Sequence, residues 1–324
     1  MKPIENFWTK NLRKVRYLYP SFFPVNSKFG EGCPFPYLEE QKASDAIKKE
    51  LLSDKPSMIA RCGSVELLAM LNYLSVKHHP RQFMKYIKWQ IAPFWFETYT
   101  SDVMWMNAGI FPGTFDLLEK FTLTMLKDMA EIDILGTWRK EESFFRQSLE
   151  KSVKIKLDDM NPFLHENPWT KALEGKKVLV IHPFKKSIEQ QYSKRKLLFK
   201  DQRILPDFDL QVIQSVQSIS RIKPDHFENW IEALEYMKQQ MSKTDFDIAI
   251  IGCGAYGLPL AAHAKRMGKK AVHLGGATQL LFGIAGKRWE EKKIISDLIN
   301  EHWVRPLPEE TPKDYKDIEN GCYW

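Results

Sequence analysis

A short turn in the first quarter of the chain gathers residue types that bind anions and move protons. Arg61, Gly63 and Glu66 follow an apolar run at 57–60 that has the composition of a buried strand, and a helical pattern follows at 67–74. Such a turn presents backbone N–H groups and a helix N-terminus at the carboxyl edge of a sheet, where anionic ligands are favoured. We therefore predict that Glu66 acts chemically and that Arg61 faces a negative charge.

A glycine-rich turn in the second half of the chain indicates a phosphate or nucleotide site. Gly252, Gly254 and Gly257 have the spacing of a dinucleotide-binding turn, with an apolar strand before them and a helix after them. NAD also needs an acidic residue about 20 positions later for its ribose, and His273 lies there without an acid. The pattern therefore favours a nucleotide other than NAD, with Tyr256 and His273 as further ligands. Alternatively, the three glycines only permit close packing of the helix on the sheet.

A second glycine turn, at Gly275 and Gly276, ends the next predicted strand, so both turns should open on the same edge of the sheet. Glycine lets a backbone approach a diphosphate closely. Thr278 and Gln279 offer a hydroxyl and an amide to a sugar or base, and Arg288 adds positive charge. Thr278 is equally consistent with a helix N-cap.

Five further residues are candidates for the reacting centre or for a sugar site. His182 ends a predicted strand, where it would serve as a base or a phosphate donor, or it is a buried core histidine. Ser187 begins a segment with the form of a capping box, and Arg195 follows in a basic run otherwise typical of a solvated helix face. Asn107 and Trp138 supply an amide and an aromatic ring, which hold sugars but are also ordinary in loops.

Composition narrows the class of protein. The 324 residues include 48 Lys and Arg against 41 Asp and Glu, a net charge of +7, which suits a phosphate-bearing ligand or an anionic membrane. No Walker loop, nucleophile elbow or RNA-binding aromatic motif is recognisable, so we predict no nucleic-acid partner. The four cysteines lack the spacing of a zinc site, which favours a reducing cytoplasm.

The N-terminal residues are predicted to extend from the main domain. Charged side chains interrupt residues 2–16, so neither a secretory signal nor a membrane span is predicted. The aromatic segment 17–24 contains two prolines, which prevent a long amphipathic helix. This segment either rests on a lipid surface or packs on the domain, so at most a peripheral contact with the inner face of the membrane is expected.

Strands and helices alternate along the rest of the chain, which predicts an α/β fold with a doubly wound, mostly parallel sheet. The aromatic stretch 83–96 is either core or an acceptor cleft, and the tail 306–324 is predicted to close over something with its aromatic end. The predicted strands are 57–60, 132–136, 177–181, 210–216, 247–251 and 270–274. The predicted helices are 38–52, 67–74, 115–129, 187–199, 227–240 and 258–267.

The turn at 61–66, with the sequence RCGSVE, resembles the Arg-x-Gly-Asp-x-Glu motif of the GT-D glycosyltransferases. In that family the Asp-x-Glu pair is associated with a divalent metal and the donor diphosphate. The resemblance therefore implies a Rossmann-like fold, a nucleotide-sugar substrate and Glu66 as a ligand to Mn²⁺ or Mg²⁺, while Ser64 stands in place of the Asp and puts metal dependence in doubt. The resemblance extends from about residue 45 to the C-terminus and includes VIHPF at 180–184, IGCGAYG at 251–257, HLGGATQ at 273–279 and GCYW at 321–324.

The resemblance implies a glycosyltransferase that moves a sugar from a nucleoside diphosphate donor, with a UDP-sugar first in expectation. The acceptor would be a glycan or a lipid-linked molecule in bacterial surface polysaccharide biosynthesis, and no organic cofactor is expected. The expected catalytic residues are Glu66, Arg61, Ser64 and His182.

Two alternatives and the domain division stay open. The first alternative is a nicotinamide-dependent oxidoreductase or epimerase, which would lack its ribose-binding acid here. The second is a catalytically lapsed sugar-binding or scaffold protein, which Ser64 in place of the family's Asp makes reasonable. We expect an N-terminal extension at 1–45 and a GT-D-like catalytic domain at 46–324, with lobes at 46–150 and 151–324 as one division of it.

Overall fold

A parallel β-sheet forms the centre of the computed structural model, which describes residues 5–78, 81–317 and 320–324. Within these residues the sheet has seven strands in the order β3-β2-β1-β7-β6-β4-β5, and every pairing is parallel. The predicted doubly wound α/β fold is confirmed. The strands are β1 Ser57–Arg61, β2 Ile134–Thr137, β3 Val153–Lys156, β4 Lys177–His182, β5 Asp209–Gln214, β6 Ile248–Ile251 and β7 Lys270–His273.

Helices surround the sheet and also form the N-terminal part of the chain. The long predicted helix at 187–199 is instead two shorter helices, separated at Lys194. The helices are α1 Phe7–Leu18, α2 Gln41–Leu52, α3 Ser64–His78, α4 Phe83–Ile87, α5 Thr98–Ala108, α6 Phe115–Met129, α7 Lys185–Ser193, α8 Arg195–Leu198, α9 Trp230–Ser242, α10 Gly257–Arg266, α11 Thr278–Leu281, α12 Lys287–Glu290 and α13 Lys293–Ser296. None of the described helices is long and apolar enough to cross a membrane.

Successive side chains of each strand point to opposite faces of the sheet, and both faces are buried. In β1, Met58 and Ala60 join one hydrophobic cluster with residues of α3, α6, α9 and α10. Ile59 joins the other cluster, with residues of α2, α7 and α11. Continuous apolar runs such as residues 57–60 are therefore explained by burial on two sides.

The two halves of the chain share this sheet, because β1 from the first half pairs directly with β7 from the second. The helix α2 spans the predicted boundary at residue 45 and packs in the same cluster as the sheet. The N-terminal extension also contains a regular helix, α1, which ends before Pro20, the first proline of the aromatic segment 17–24. The prolines thus limit this helix to 12 residues but do not prevent it.

The crevice between β1 and β7 is the place where the fold exposes its strand ends to a ligand. The segment after β1 leads into α3, which packs on one face of the sheet. The segment after β7 leads into α11, which packs on the other face. Neighbouring strands whose connections leave to opposite faces create an opening at the carboxyl edge, where α/β proteins bind their ligands.

Candidate active site

A cavity of about 980 Å³ lies at this carboxyl edge and is lined by the residues that follow β1, β2, β4, β6 and β7. Its size suits a ligand of several rings and phosphates. The cavity brings together most of the predicted site residues, namely Arg61, Gly63, Ser64, Glu66, Asn107, Trp138, His182, Gly252, Gly254, Tyr256, His273, Gly275, Gly276, Gln279 and Arg288. Four predicted residues, Gly257, Thr278, Ser187 and Arg195, do not line it.

Arg61 lies at the end of β1 and forms no salt bridge within the part of the chain that the structure describes. Its guanidinium carbon is 5.0 Å from the ring centroid of Trp138, and a Cβ added to Gly275 would lie 3.4 Å from its Nη1 atom. Among the described residues its Nε atom is buried and has no hydrogen-bond partner. A partly buried guanidinium in this state is a ready binding group for phosphate or carboxylate oxygens.

Glu66 lies in the first turn of α3, with its carboxylate folded back against Gly63. A Cβ at position 63 would overlap that carboxylate, so any other residue there would displace the end of the Glu66 side chain. Burial raises the pKa of Glu66 above its ordinary value of 4.5, while the positive charge of Arg61 opposes the shift. Glu66 is therefore a proton acceptor of higher basicity than a surface glutamate.

Two buried histidines, His182 and His273, end β4 and β7, and burial lowers the pKa of each to about 3, so both rings are neutral. Nδ1 of His182 accepts a hydrogen bond from the backbone N–H of Phe184 at 3.1 Å, which leaves the proton on Nε2. Nδ1 of His273 instead donates to the carbonyl of Ile251 at 3.2 Å, which leaves Nε2 as an acceptor. His182 thus offers a donor and His273 an acceptor.

The three glycines of the predicted nucleotide turn serve different purposes. A Cβ at Gly257 would collide with the ring of His273, and one at Gly252 would lie 2.7 Å from the carbonyl oxygen of Gly275. Both glycines are required for packing. Gly254 has φ of +57°, and the nearest atom to a Cβ there, the carbonyl oxygen of Ala108, would be 3.5 Å away. Gly254 is therefore the one whose backbone has open space toward the cavity.

Thr278 is fully buried behind this edge, with its side chain against Gly252, so it contacts the turn and not the cavity. Tyr256 is also buried, and its hydroxyl lies 2.9 Å from Oγ of Ser218. Ser218 in turn donates to the carbonyl of Gly109 at 2.6 Å. Through Ser218, Tyr256 thus holds the segment around Gly109. Asn107, two residues before Gly109, lines the cavity.

The aromatic C-terminal end covers the second glycine turn, a position that the sequence did not specify. The ring of Tyr323 packs on Gly276 so closely that a Cβ there would lie 2.5 Å from it, and the guanidinium carbon of Arg288 is 4.9 Å from that ring. Gln279 donates through Nε2 to the carbonyl of Tyr323 at 3.0 Å. Its Oε1 atom is buried and has no hydrogen-bond partner among the described residues.

Ser187 and Arg195 lie outside the cavity, and the predicted capping box is wrong. The helix α7 begins at Lys185, and no side chain of its own turn caps it. The carboxylate of Glu310 does so instead, accepting hydrogen bonds from the backbone N–H of Lys186 at 2.7 Å and of Ser187 at 3.2 Å. Arg195 pairs with a surface acid, Asp207, at 2.6 Å.

Sequence reasoning missed Glu142, a buried carboxylate behind the cavity wall. It accepts hydrogen bonds from the hydroxyl of Thr137 and from the backbone N–H of Trp138 at 3.2 Å, and so holds the backbone that carries the ring beside Arg61. Burial raises its pKa to about 7. The only sequence signal for Glu142 is its position four residues after Trp138, a candidate site residue. Such a spacing is too common to indicate a site.

Glu142 should make the stability of the fold depend on pH. Its pKa is about 7 in the folded state against an ordinary value of 4.5 for glutamate, so the free energy of unfolding should fall by about 3 kcal/mol between those two pH values. Glu142→Gln should remove this fall. Urea unfolding of both proteins at pH 5 and pH 8 measures the difference, and an equal pH dependence in the two would contradict it.

The acids near the turn do not form a metal cage. Among the described residues, no group of three or more His, Cys, Asp or Glu side chains could hold a metal ion. Ser64 and Glu66 would supply one hydroxyl and one carboxylate, while Asp159, another acid of the cavity, already accepts from the backbone N–H of Glu40 at 2.8 Å. Mg²⁺ and Mn²⁺ prefer several hard oxygen ligands, so the protein alone does not fit a resident ion.

Comparison with known proteins identifies the family. A family model described as a GT-D fold-like domain matches residues 38–281, which include β1 to β7 and both glycine turns. The chain belongs to this GT-D-like family. The searches of curated proteins and of solved structures found no match. The membership confirms the predicted GT-D-type family, and the match begins before the predicted boundary at residue 45 and ends at residue 281.

Proposed function

We propose that this GT-D-like protein is a glycosyltransferase that takes its sugar from a nucleoside diphosphate donor, with UDP-sugars first in order of expectation. The observation that carries the proposal is Arg61. Its guanidinium has a buried Nε without a partner and lies beside the ring of Trp138 in a cavity large enough for a nucleotide sugar. Breaking the bond between the sugar and the diphosphate leaves negative charge on the diphosphate, which a guanidinium stabilises.

Glu66 is proposed to act on the acceptor. As the sugar carbon bonds to an acceptor hydroxyl, that hydroxyl must lose its proton, and a carboxylate of raised pKa is suited to take it. Glu66 and Arg61 interact electrostatically across the same turn, so the proton acceptor and the leaving-group cation are close together. Both stereochemical outcomes are compatible with this pair.

The nucleotide is proposed to lie along the turns after β6 and β7. Gly254 offers an open backbone, and Gln279 also lines the cavity. The Nε2–H of His182 is a neutral donor toward phosphate or sugar oxygens. A glycan or lipid-linked acceptor would then enter from the side of Asn107 and Trp138, in the assembly of a bacterial surface polysaccharide.

A divalent ion, if used, would be held by Glu66 together with the donor, whose phosphate oxygens supply the hard ligands that the turn lacks. Ser64→Asp should therefore strengthen Mn²⁺ binding at least about tenfold, because a carboxylate replaces a weak hydroxyl ligand. The fold should be kept, since an acid is favoured in the first turn of α3. Calorimetry with Mn²⁺, with and without UDP, measures the change.

The control for this prediction is internal. Adding Glu66→Gln to the Ser64→Asp protein should cancel the gain, because the two positions act as one site. If Ser64→Asp leaves the Mn²⁺ affinity unchanged with and without UDP, the alignment of Ser64 and Glu66 with an Asp-x-Glu pair is wrong.

The two alternatives remain distinguishable. Nicotinamide chemistry is disfavoured because His273, at the position of the ribose acid, is neutral and packs on Gly257. A lapsed sugar-binding protein would bind donors without turning them over. The test is a panel of nucleoside diphosphate sugars and NAD in a thermal-shift assay, followed by measured release of nucleoside diphosphate. Stabilisation and release support the transferase, stabilisation without release supports the lapsed protein, and stabilisation by NAD alone rejects both.

A further inference from the structure

The helix α1 presents an apolar face to solvent, away from the cavity. Five of its large side chains, Phe7, Trp8, Val15, Tyr17 and Leu18, are exposed, with Phe7 at 73% and Trp8 at 79%. With 3.6 residues per turn, all of these positions except Tyr17 fall within about 100° of the helix circumference. None of them lines the cavity. This stripe has the width of a face that is normally buried.

The opposite face of α1 is fixed to the body of the protein. Arg16 is buried, donates to the carbonyl of Ile91 at 3.0 Å and lies with its guanidinium carbon 4.1 Å from the ring centroid of Trp89 and 4.3 Å from that of Tyr86. Because these contacts tie the helix to the residues around α4, its apolar face is held toward solvent by the fold itself.

The surface next to α1 also exposes apolar side chains, and it carries positive charges. In α4, Phe83 and Met84 are exposed, as are Phe22 and Phe23 after α1. Exposed cations lie between these side chains, and the two segments contain no acidic residue at all, from 6 to 30 and from 81 to 96. The exposed cations are Lys10, Lys14, Lys28, Arg81, Lys85 and Lys88.

We propose that the α1–α4 surface, made of residues 6–30 and 81–88, docks on an anionic lipid membrane. Aromatic and aliphatic side chains enter the headgroup boundary, and lysines beside them meet lipid phosphates. A second copy of the chain fits less well, because a symmetric dimer through this surface would place cations against cations without any acid between them. The inference goes beyond sugar transfer and does not depend on it.

Vesicle sedimentation of the full chain tests the proposal. Wild-type protein should bind equimolar phosphatidylcholine and phosphatidylglycerol vesicles at least about tenfold more tightly than phosphatidylcholine alone. The double variant Phe7→Ser, Trp8→Ser should lose at least about tenfold of that binding, since two large apolar side chains no longer enter the lipid. A matched double variant of exposed apolar residues elsewhere, Tyr99→Ser with Leu123→Ser, should bind as wild type does.

A second variant covers the case in which the first fails to fold. Lys10→Glu with Lys14→Glu keeps the apolar stripe and should also weaken binding to anionic vesicles, with unchanged thermal unfolding. Equal binding of wild-type protein to both vesicle types, or to neither, overturns the proposal. A wild-type dimer in light scattering that the Phe7→Ser, Trp8→Ser protein lacks also overturns it, because the occupant would then be a second copy.

Discussion

Glu66→Gln is expected to lower the rate of sugar transfer or donor hydrolysis by about 10²- to 10⁴-fold, the usual loss when a general base is removed. Glutamine keeps the shape of the side chain but cannot take a proton. The fold should be unaffected or slightly more stable, because burial raises the pKa of Glu66 and its charge is costly there. Release of nucleoside diphosphate and thermal unfolding, measured on the same preparation, separate the two effects.

Two comparisons make this result specific. Glu291→Gln, a charge change on the exposed surface, should leave the rate unchanged. Gly63→Ala should reproduce much of the loss, because a Cβ at that position displaces the Glu66 carboxylate.

The wild-type rate should rise with pH at values above 4.5, since Glu66 must lose its own proton first and its pKa is raised. A retained rate in Glu66→Gln would remove Glu66 from the chemistry.

Arg61→Met is expected to weaken binding of a nucleoside diphosphate by about 10²-fold, because a charge-assisted contact to phosphate in a buried site is lost. The free energy of unfolding should stay the same or rise. The buried Nε of Arg61 has no partner among the described residues, so an apolar side chain of similar length removes an uncompensated polar group. Calorimetry with UDP and urea unfolding give the two numbers.

The matched control is Arg195→Met, the same substitution at a guanidinium outside the cavity that already pairs with Asp207. It should leave UDP affinity unchanged. The account of Arg61 fails if both variants bind UDP as wild type does, and also if Arg61→Met unfolds the protein, since the guanidinium would then be a structural group.

The sequence predicted the fold and the position of the cavity because both follow from local patterns. Six of the seven strands are apolar runs or alternations, and parallel strands must place their following residues on one edge. Arg61, Glu66, Gly254 and Gly275 could therefore be assigned to one site from their positions after strands. The missed strand, Val153–Lys156, lies at the edge of the sheet and alternates valine and isoleucine with lysine over only four residues.

What could not be predicted depends on contacts between distant segments. The closeness of His273 to Gly257, which gives that glycine a packing purpose, appears only when β7 lies beside β6. Glu310 caps a helix more than a hundred residues earlier, so Ser187 looked like a cap in sequence. Part of the aromatic stretch 83–96 is core, because Tyr86, Ile91, Phe94 and Trp95 form a buried cluster against Leu12 of α1, while Phe83 and Met84 stay exposed and no residue of the stretch lines the cavity.

The most direct test of the central claim is a crystal structure of the protein with UDP bound. The account predicts the diphosphate within hydrogen-bond distance of the Arg61 guanidinium, with the nucleoside along the turns at Gly254 and Gly275 and the Glu66 carboxylate left open toward the acceptor side. A diphosphate bound elsewhere on the molecule, or held at this edge without Arg61, would contradict it.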